Sequence, residues 1–141
     1  MTGPISIVPE LSVSDGMAAV AFYQDAFGAT VVYQVGGTAE NPSVVAELSV
    51  GGASFWVADD SPEHENFSPE ALGGSATRML LIIDDPEAAI DRAVAAGATL
   101  VYPAAREHGW LLGRIKDPFG HHWEVGTPLI PWPPPGHSPN V

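Results

Sequence analysis

Carboxylates and histidines are the residues with the greatest capacity for chemistry in this chain, because it contains no cysteine. His122 and Glu124 stand two positions apart in a predicted strand, so both side chains lie on one face of it. Imidazole and carboxylate groups bind divalent transition metals and also serve as general bases. His108, which follows Glu107, is a further candidate for a base near neutral pH. The sequence shows neither a nucleophile elbow nor a glycine-rich phosphate loop.

A repeated pattern of elements positions these side chains. Residues 27–33 (FGATVVY) are echoed by residues 96–102 (AGATLVY). Each copy follows a helix-forming segment, residues 17–26 and 86–96, and each segment follows an apolar run that ends in aspartate. The order strand, helix, glycine, strand therefore occurs twice, which indicates two similar modules.

Local signals set the limits of the two predicted helices. Asp15 or Ser14 can cap the first helix, and Asp85 can cap the second. Gly28 and Gly97 occupy the positions at which a helix commonly ends with a left-handed residue.

Further β sequence follows each of the two helices. The pattern predicts four more strands at residues 43–50, 53–58, 110–116 and 121–126. Gly51-Gly52 favours a hairpin turn between the first two of these. Asp117-Pro118-Phe119-Gly120 favours a type I turn between the last two.

These boundaries predict one domain at residues 1–127. Within it we expect module one at residues 4–59, a linker or lid at 60–76 and module two at 77–127. Residues 128–141 form a proline-rich tail, which is unsuited to a helix or a central strand.

Composition excludes several classes of function. The chain has 141 residues, is 45% hydrophobic and 16% charged, and carries a formal net charge of −12, so it is typical of an acidic globular domain. Five Lys and Arg residues are too few to neutralise a nucleic-acid backbone, so we expect no nucleic-acid partner. No apolar run reaches membrane-spanning length and the start lacks a signal pattern, so we expect no membrane partner and a cytoplasmic location.

Three motifs in this order resemble a known family. They are residues 21–29 (AFYQDAFGA), 92–99 (RAVAAGAT) and 117–121 (DPFGH). Together they resemble the vicinal oxygen chelate superfamily of glyoxalases, bleomycin-resistance proteins and dioxygenases, most of all its single-domain bleomycin-resistance and phosphonate-operon-associated branch. The resemblance implies an α+β fold of two βαβββ modules, which form a curved mixed sheet around a cavity. It also implies a homodimer that completes the cavity.

The metal ligands decide which chemistry such a fold performs. In the glyoxalase pattern four His or Glu side chains converge on a metal ion. The resemblance places these four positions at Val8, Trp56, Arg78 and Glu124. Valine and tryptophan do not bind the ion and the charge of an arginine opposes it, so we expect no metal at these positions.

A displaced metal site is the alternative. Glu10 lies two positions after Val8, and His122 lies two before Glu124, so each pair shares a strand face. A Glu10/His122/Glu124 cluster would present hard-to-borderline ligands that suit Zn, Ni, Mn or Fe.

Other residues point to ligand binding. Trp56 and Trp110 offer flat walls for a planar or extended organic molecule. Arg78 either pairs with Glu124 and holds the two modules together, or joins Arg114 to bind a carboxylate or phosphonate of the ligand. We therefore expect these five residues to form the ligand site.

Three functions follow from these residues. The leading hypothesis is a protein that sequesters or carries a bulky or aromatic small molecule in a cavity shared by two subunits. An enzyme of the superfamily is the second, either metal-dependent or metal-free with Glu124, Glu10 or His108 as its base. The third is an interaction scaffold in which the tail, with Trp132, binds a partner subunit.

Overall fold

The computed structural model describes residues 3–136 and contains the βαβββ order twice. Module one consists of β1 (Glu10–Val13), α1 (Gly16–Phe27), β2 (Thr30–Gly36), β3 (Val44–Val50) and β4 (Ala53–Asp59). The connection holds a single 3-10 turn (Pro62–His64) and a short helix, α2 (Pro69–Leu72). Module two consists of β5 (Arg78–Ile82), α3 (Pro86–Ala95), β6 (Thr99–Glu107), β7 (Trp110–Lys116) and β8 (His122–Pro128). The predicted α+β fold with an internal repeat is confirmed.

Each module forms its own four-stranded mixed sheet. The strand order is β1-β4-β3-β2 in the first sheet and β5-β8-β7-β6 in the second. The first and last strands of each module pair in parallel, and the other neighbours are antiparallel. The expected curved sheet is therefore present as two halves, which one chain does not close.

The helix signals in the sequence act as predicted. The carboxylates of Asp15 and Asp85 accept hydrogen bonds from backbone N–H groups three residues on, at 3.0 and 3.1 Å. Gly28 and Gly97 have φ values of 69° and 123°, which residues with a Cβ rarely adopt.

The first strand is shorter than the apolar run that predicts it. The run begins at Ile5, but β1 begins at Glu10. Pro4 and Pro9 have no N–H to donate to a ladder, and the side chains of Ile5 and Ile7 are 97% exposed.

Alternation along the strands gives each sheet a helix-covered face and an open face. In the first sheet Val13, Leu48 and Val57 are fully buried on the helix side. In the second sheet Ile115 and Val125 take the same role. The opposite faces carry partly or fully exposed side chains, and they are called the open faces below.

An aromatic cluster joins the two modules. The ring of Trp123 in β8 lies 4.9 Å from Phe27, 5.3 Å from Phe55 and 5.5 Å from Tyr23, measured between ring centroids. These partners belong to module one, and α1 also packs against α3. Edge-on and tilted aromatic pairs each add about 0.5–1.5 kcal/mol beyond their burial. Trp123 is therefore part of the core, and Glu124, the next residue, faces the open side.

The carboxylate of Asp117 is the polar counterpart of this cluster. It is 2% exposed and accepts hydrogen bonds from the Tyr23 hydroxyl and, at 3.0 Å, from Trp123 Nε1. Its other oxygen accepts the N–H groups of Phe119 and His121, both at 3.0 Å. Burial and the neighbouring Asp117 raise the pKa of Tyr23 well above its ordinary value of 10.0. One side chain thus ties α1 to the β7–β8 turn.

Replacing this carboxylate tests its role. Asp117→Ala leaves the buried donors of Tyr23 and Trp123 without an acceptor, and we expect it to lower the free energy of unfolding by about 3 kcal/mol or more. Asp91→Ala, on the exposed side of α3, should change it by less than about 0.5 kcal/mol. Urea unfolding measures both variants. Equal stabilities would contradict the account of the Asp117 network.

Candidate functional site

The open face of the first sheet carries a row of alternating acidic and aromatic side chains. The strand register places Tyr33 opposite Glu47, Glu47 opposite Trp56, and Trp56 opposite Glu10. The rings of Tyr33 and Trp56 contact each other with 6.0 Å between centroids. Two carboxylates and two aromatic rings therefore form one wall across all four strands.

The open face of the second sheet carries an equivalent row of different chemistry. Tyr102 lies opposite Arg114, Arg114 opposite Glu124, and Glu124 opposite Leu80. The internal repeat pairs this Arg114 with Glu47 of the first sheet, and Tyr102 with Tyr33. The two rows thus have the same strand arrangement, and the equivalent positions Glu47 and Arg114 carry opposite charges.

Glu124 is the anionic centre of the second row. Its Oε1 accepts a 2.9 Å hydrogen bond from Arg78 Nε, and its Oε2 lies 3.9 Å from Arg114 Nη2. The guanidinium carbon of Arg114 lies 5.0 Å from the centroid of the Tyr102 ring. The predicted Arg78–Glu124 ion pair is present. However, it joins β5 to β8 within the second sheet, so the expectation that it holds the two modules together is wrong.

His122 lies next to these charges on the same face. The register places it between Arg78 and Lys116. Burial, followed by the charges of Arg114, Lys116 and Arg78, lowers the pKa of His122 from its ordinary value of 6.5. His122 Nδ1 and Arg114 Nε are buried without a hydrogen-bond partner in the described part of the chain.

The charges are divided unevenly between the modules. All five Lys and Arg residues follow residue 77, so the wall with Glu10 and Glu47 has no basic residue of its own module nearby. In the second sheet Arg78, Arg114 and Lys116 share one face. The two open faces are therefore electrostatically complementary.

Shallow depressions lie along the second sheet. One, of about 370 Å³, is lined by Tyr102, Leu112 and the carboxylates Glu107 and Glu124 among others. Another, of about 310 Å³, lies between the modules and is lined by Phe55, Arg78, Leu80 and Trp123 among others. Both are open at one side and so give only part of an enclosing wall.

The remaining predicted residues lie at the margins of this site. His108 is an exposed residue of the β6–β7 turn with a φ of 49°. Trp110 starts β7 on the open face and contacts Trp132 of the tail, with 5.3 Å between ring centroids. Residues 137–141 of the predicted tail lie outside the described residues.

Three residues of the two walls were missed by the sequence interpretation. Glu47, Tyr102 and Lys116 have no motif of their own. The repeat contained the signal for two of them, because Tyr102 corresponds to Tyr33 and Glu47 corresponds to Arg114. Lys116 can be assigned to the site only from the strand register, which places it beside His122.

Comparison with known proteins identifies the family. Residues 7–125 match the model of the Glyoxalase/Bleomycin resistance protein/Dioxygenase superfamily. An uncharacterized protein of Mycobacterium bovis is 34% identical over 129 residues, which cover 88% of this chain and 84% of that protein. The chain therefore belongs to the glyoxalase, bleomycin-resistance and dioxygenase superfamily, as the motifs predict.

Solved structures have the same fold. The structure of an Arabidopsis thaliana gene product, 31% identical, has a TM-score of 0.63 and the match covers 89% of this chain and 98% of that chain. TioX from Micromonospora sp. ML1, 24% identical, has a TM-score of 0.66 with coverages of 87% and 95%. The match to TioX concerns the fold alone. No helix within residues 3–136 is long and apolar enough to cross a membrane.

Metal ions occur in this superfamily, so the donor set of this chain must be tested. The fosfomycin resistance protein FosX of Listeria monocytogenes, 18% identical with a TM-score of 0.64 and coverages of 90% and 93%, was crystallised with Mn(II). Trp56 and Arg78, two of the positions that the resemblance assigns to metal ligands, carry side chains that do not bind such an ion, and Arg78 pairs with Glu124. Glu10 lies on the first sheet, and among residues 3–136 no three His, Asp or Glu side chains form a metal-binding group. The donors of a single chain do not fit the ion.

The pKa of His122 provides a test of this electrostatic arrangement. We expect its imidazole to titrate below 6.5 in NMR, so that it is neutral at pH 7. A depressed folded pKa contributes stability above pH 6.5 that is lost as the pH falls through the folded value. Arg114→Gln should move the titration part of the way back toward 6.5, because burial remains the largest cause.

Arg106→Gln is the matched control, because Arg106 is exposed and lies opposite Leu111 rather than in the Arg114 row. It should leave the titration of His122 unchanged. A pKa at or above 6.5 in the unaltered protein would contradict this arrangement.

Proposed function

We propose that this protein binds a bulky or aromatic small molecule in a cavity formed by two copies of the chain, in the manner of a bleomycin-resistance protein. The first sheet of one subunit supplies one wall, and the second sheet of the other subunit supplies the opposite wall. The observation that carries the proposal is the pair of open faces with complementary charges, each of which is half of an enclosure.

Apolar exposure supports a second copy as the occupant of the open faces. The side chains of Val45, Leu80 and Ile82 are 45%, 51% and 58% exposed on these faces. Apolar side chains exposed on a sheet face that no helix covers favour an interaction site there. An isologous dimer buries the same patch on both chains. In the proposed dimer Glu47 on the open face of the first sheet lies near Arg114 and Lys116 on the open face of the other chain's second sheet.

The chemistry of the walls supports binding rather than turnover. The aromatic pair of Tyr33 and Trp56 offers a flat surface for an organic ring. The oxygens of Glu124 face Arg78 and Arg114 at 2.9 and 3.9 Å, so this candidate base already has partners. His108 lies in an exposed turn, where no described side chain orients it for proton transfer.

Substitutions on the open faces test the dimer. Val45→Lys and Ile82→Lys, one on each sheet, place an unpaired charge in the proposed interface, and we expect each to weaken dimerisation at least about tenfold. Leu72→Lys is the control, since Leu72 is 65% exposed on α2, away from both faces. Sedimentation velocity measures all three. A monomeric unaltered protein, or equal effects of all three substitutions, would contradict the proposal.

Binding of a neutral aromatic probe tests the cavity itself. We expect 2-naphthamide to quench tryptophan fluorescence saturably and to be recovered unchanged by mass spectrometry. Trp56→Ala removes one flat wall and should weaken binding about tenfold. Trp132→Ala, which alters the tail instead, should leave the affinity near that of the unaltered protein. Chemical conversion of a bound ligand would replace this account with the enzyme alternative.

A further inference from the structure

We infer that the ligand of this cavity carries an oxyanion, most simply a carboxylate, which Arg114 and Lys116 of the second sheet bind. The inference rests on the proposed function and specifies the class of its ligand. The cationic cluster is defined as Arg78, Arg114 and Lys116, together with His122 and Glu124 on the same face.

Positive charge is concentrated in the cationic cluster. Three of the five basic residues of a chain with a net charge of −12 lie in the cationic cluster, on adjacent strands β5, β7 and β8. Glu124 is the one carboxylate that contacts them among residues 3–136. With His122 neutral, the cluster keeps an excess of positive charge. Like charges in one place cost free energy unless a counter-charge arrives.

The three cations of the cluster differ in how closely a carboxylate pairs with them. Arg78 has a close partner, because its Nε lies 2.9 Å from Glu124. Arg114 approaches Glu124 only to 3.9 Å, and its buried Nε has no acceptor in the described part of the chain. Lys116 has no ion-pair partner within residues 3–136 and is exposed. Arg114 and Lys116 are therefore the groups with binding capacity left.

The geometry around Arg114 also favours a carboxylate. Its guanidinium lies over the Tyr102 ring at 5.0 Å, which limits the orientations of the planar fork of donors. Such a fork matches the two oxygens of a carboxylate. Tyr102 also lines the depression of about 370 Å³ beside Glu107 and Glu124, and Arg114 contacts Tyr102 from outside that lining. An aromatic acid would place its ring along the Tyr102 wall, with its carboxylate turned away from the two glutamates and onto Arg114.

Two probes of equal shape test the inference. 2-Naphthoate and 2-naphthamide differ by the charge of one group, and calorimetry on the intact protein gives both affinities. We expect the acid to bind at least about tenfold more tightly. Arg114→Gln should abolish that preference, and Lys116→Gln should reduce it. Arg106→Gln removes the same charge from the other face and should leave it intact. Circular dichroism and the mass of the dimer show whether each variant still folds and assembles.

The outcomes separate this inference from the proposed function. Equal binding of acid and amide would overturn the anion site and leave the cavity. Inorganic phosphate that binds through Arg114, with no binding of either naphthyl probe, would support the anion site and overturn the aromatic cavity. Failure of all three probes overturns both. An Arg114→Gln variant that loses the dimer and keeps the acid preference would assign the cluster to the subunit contact and overturn the inference.

Discussion

The buried carboxylate of Asp117 is the constraint on which the rest of the structure depends. A carboxylate is costly to bury unless its oxygens are hydrogen-bonded, and here Tyr23, Trp123 and two backbone N–H groups satisfy it. Because Tyr23 belongs to module one and Trp123 to module two, the same bonds fix the two modules relative to each other. The aromatic cluster packs around this contact on the helix-covered side of the sheets. The helices therefore cover only one face of each sheet.

The open faces are the consequence of that arrangement. The helices and Trp123 occupy the space between the modules, so neither sheet can cover the other within one chain. The two faces carry unlike chemistry, with Glu47 on one wall and Arg114 at the equivalent position on the other. In the proposed dimer a second copy brings unlike walls together, whereas a single chain presents them separately. The proposed ligand site depends on this difference in charge between the open faces of the two modules.

The sequence predicted the architecture well because its signals are local and repeated. Helix caps such as Asp15 and the recurring Gly-Ala-Thr segments do not depend on tertiary context. The resemblance placed Glu124 and Arg78 at equivalent depths of the fold, and their ion pair is present. Its assignment as a link between the modules was wrong, because β5 and β8 are paired strands of one sheet.

Other features of the site depend on long-range contacts. The turn motif that begins at Asp117 was predicted as backbone shape, but its carboxylate also accepts the hydroxyl of Tyr23, which lies 94 positions earlier in the chain. Likewise, no local pattern marks Glu47 or Lys116 as residues of an open face. Their roles follow from the pairing of strands that are distant in the sequence, and alternation along one strand shows which face a residue is on but not which residues lie opposite it.

Mixing two defective subunits tests the central claim, that each cavity combines the first sheet of one chain with the second sheet of another. Trp56→Ala damages the first wall and Arg114→Gln damages the second, so either variant alone should bind 2-naphthoate poorly. When the two are unfolded together and refolded, half of the dimers are mixed and each has one intact cavity, which restores about one quarter of the sites. Recovery of that fraction is the predicted result. No recovery, with mixed dimers confirmed by native mass spectrometry, would contradict a cavity shared between subunits.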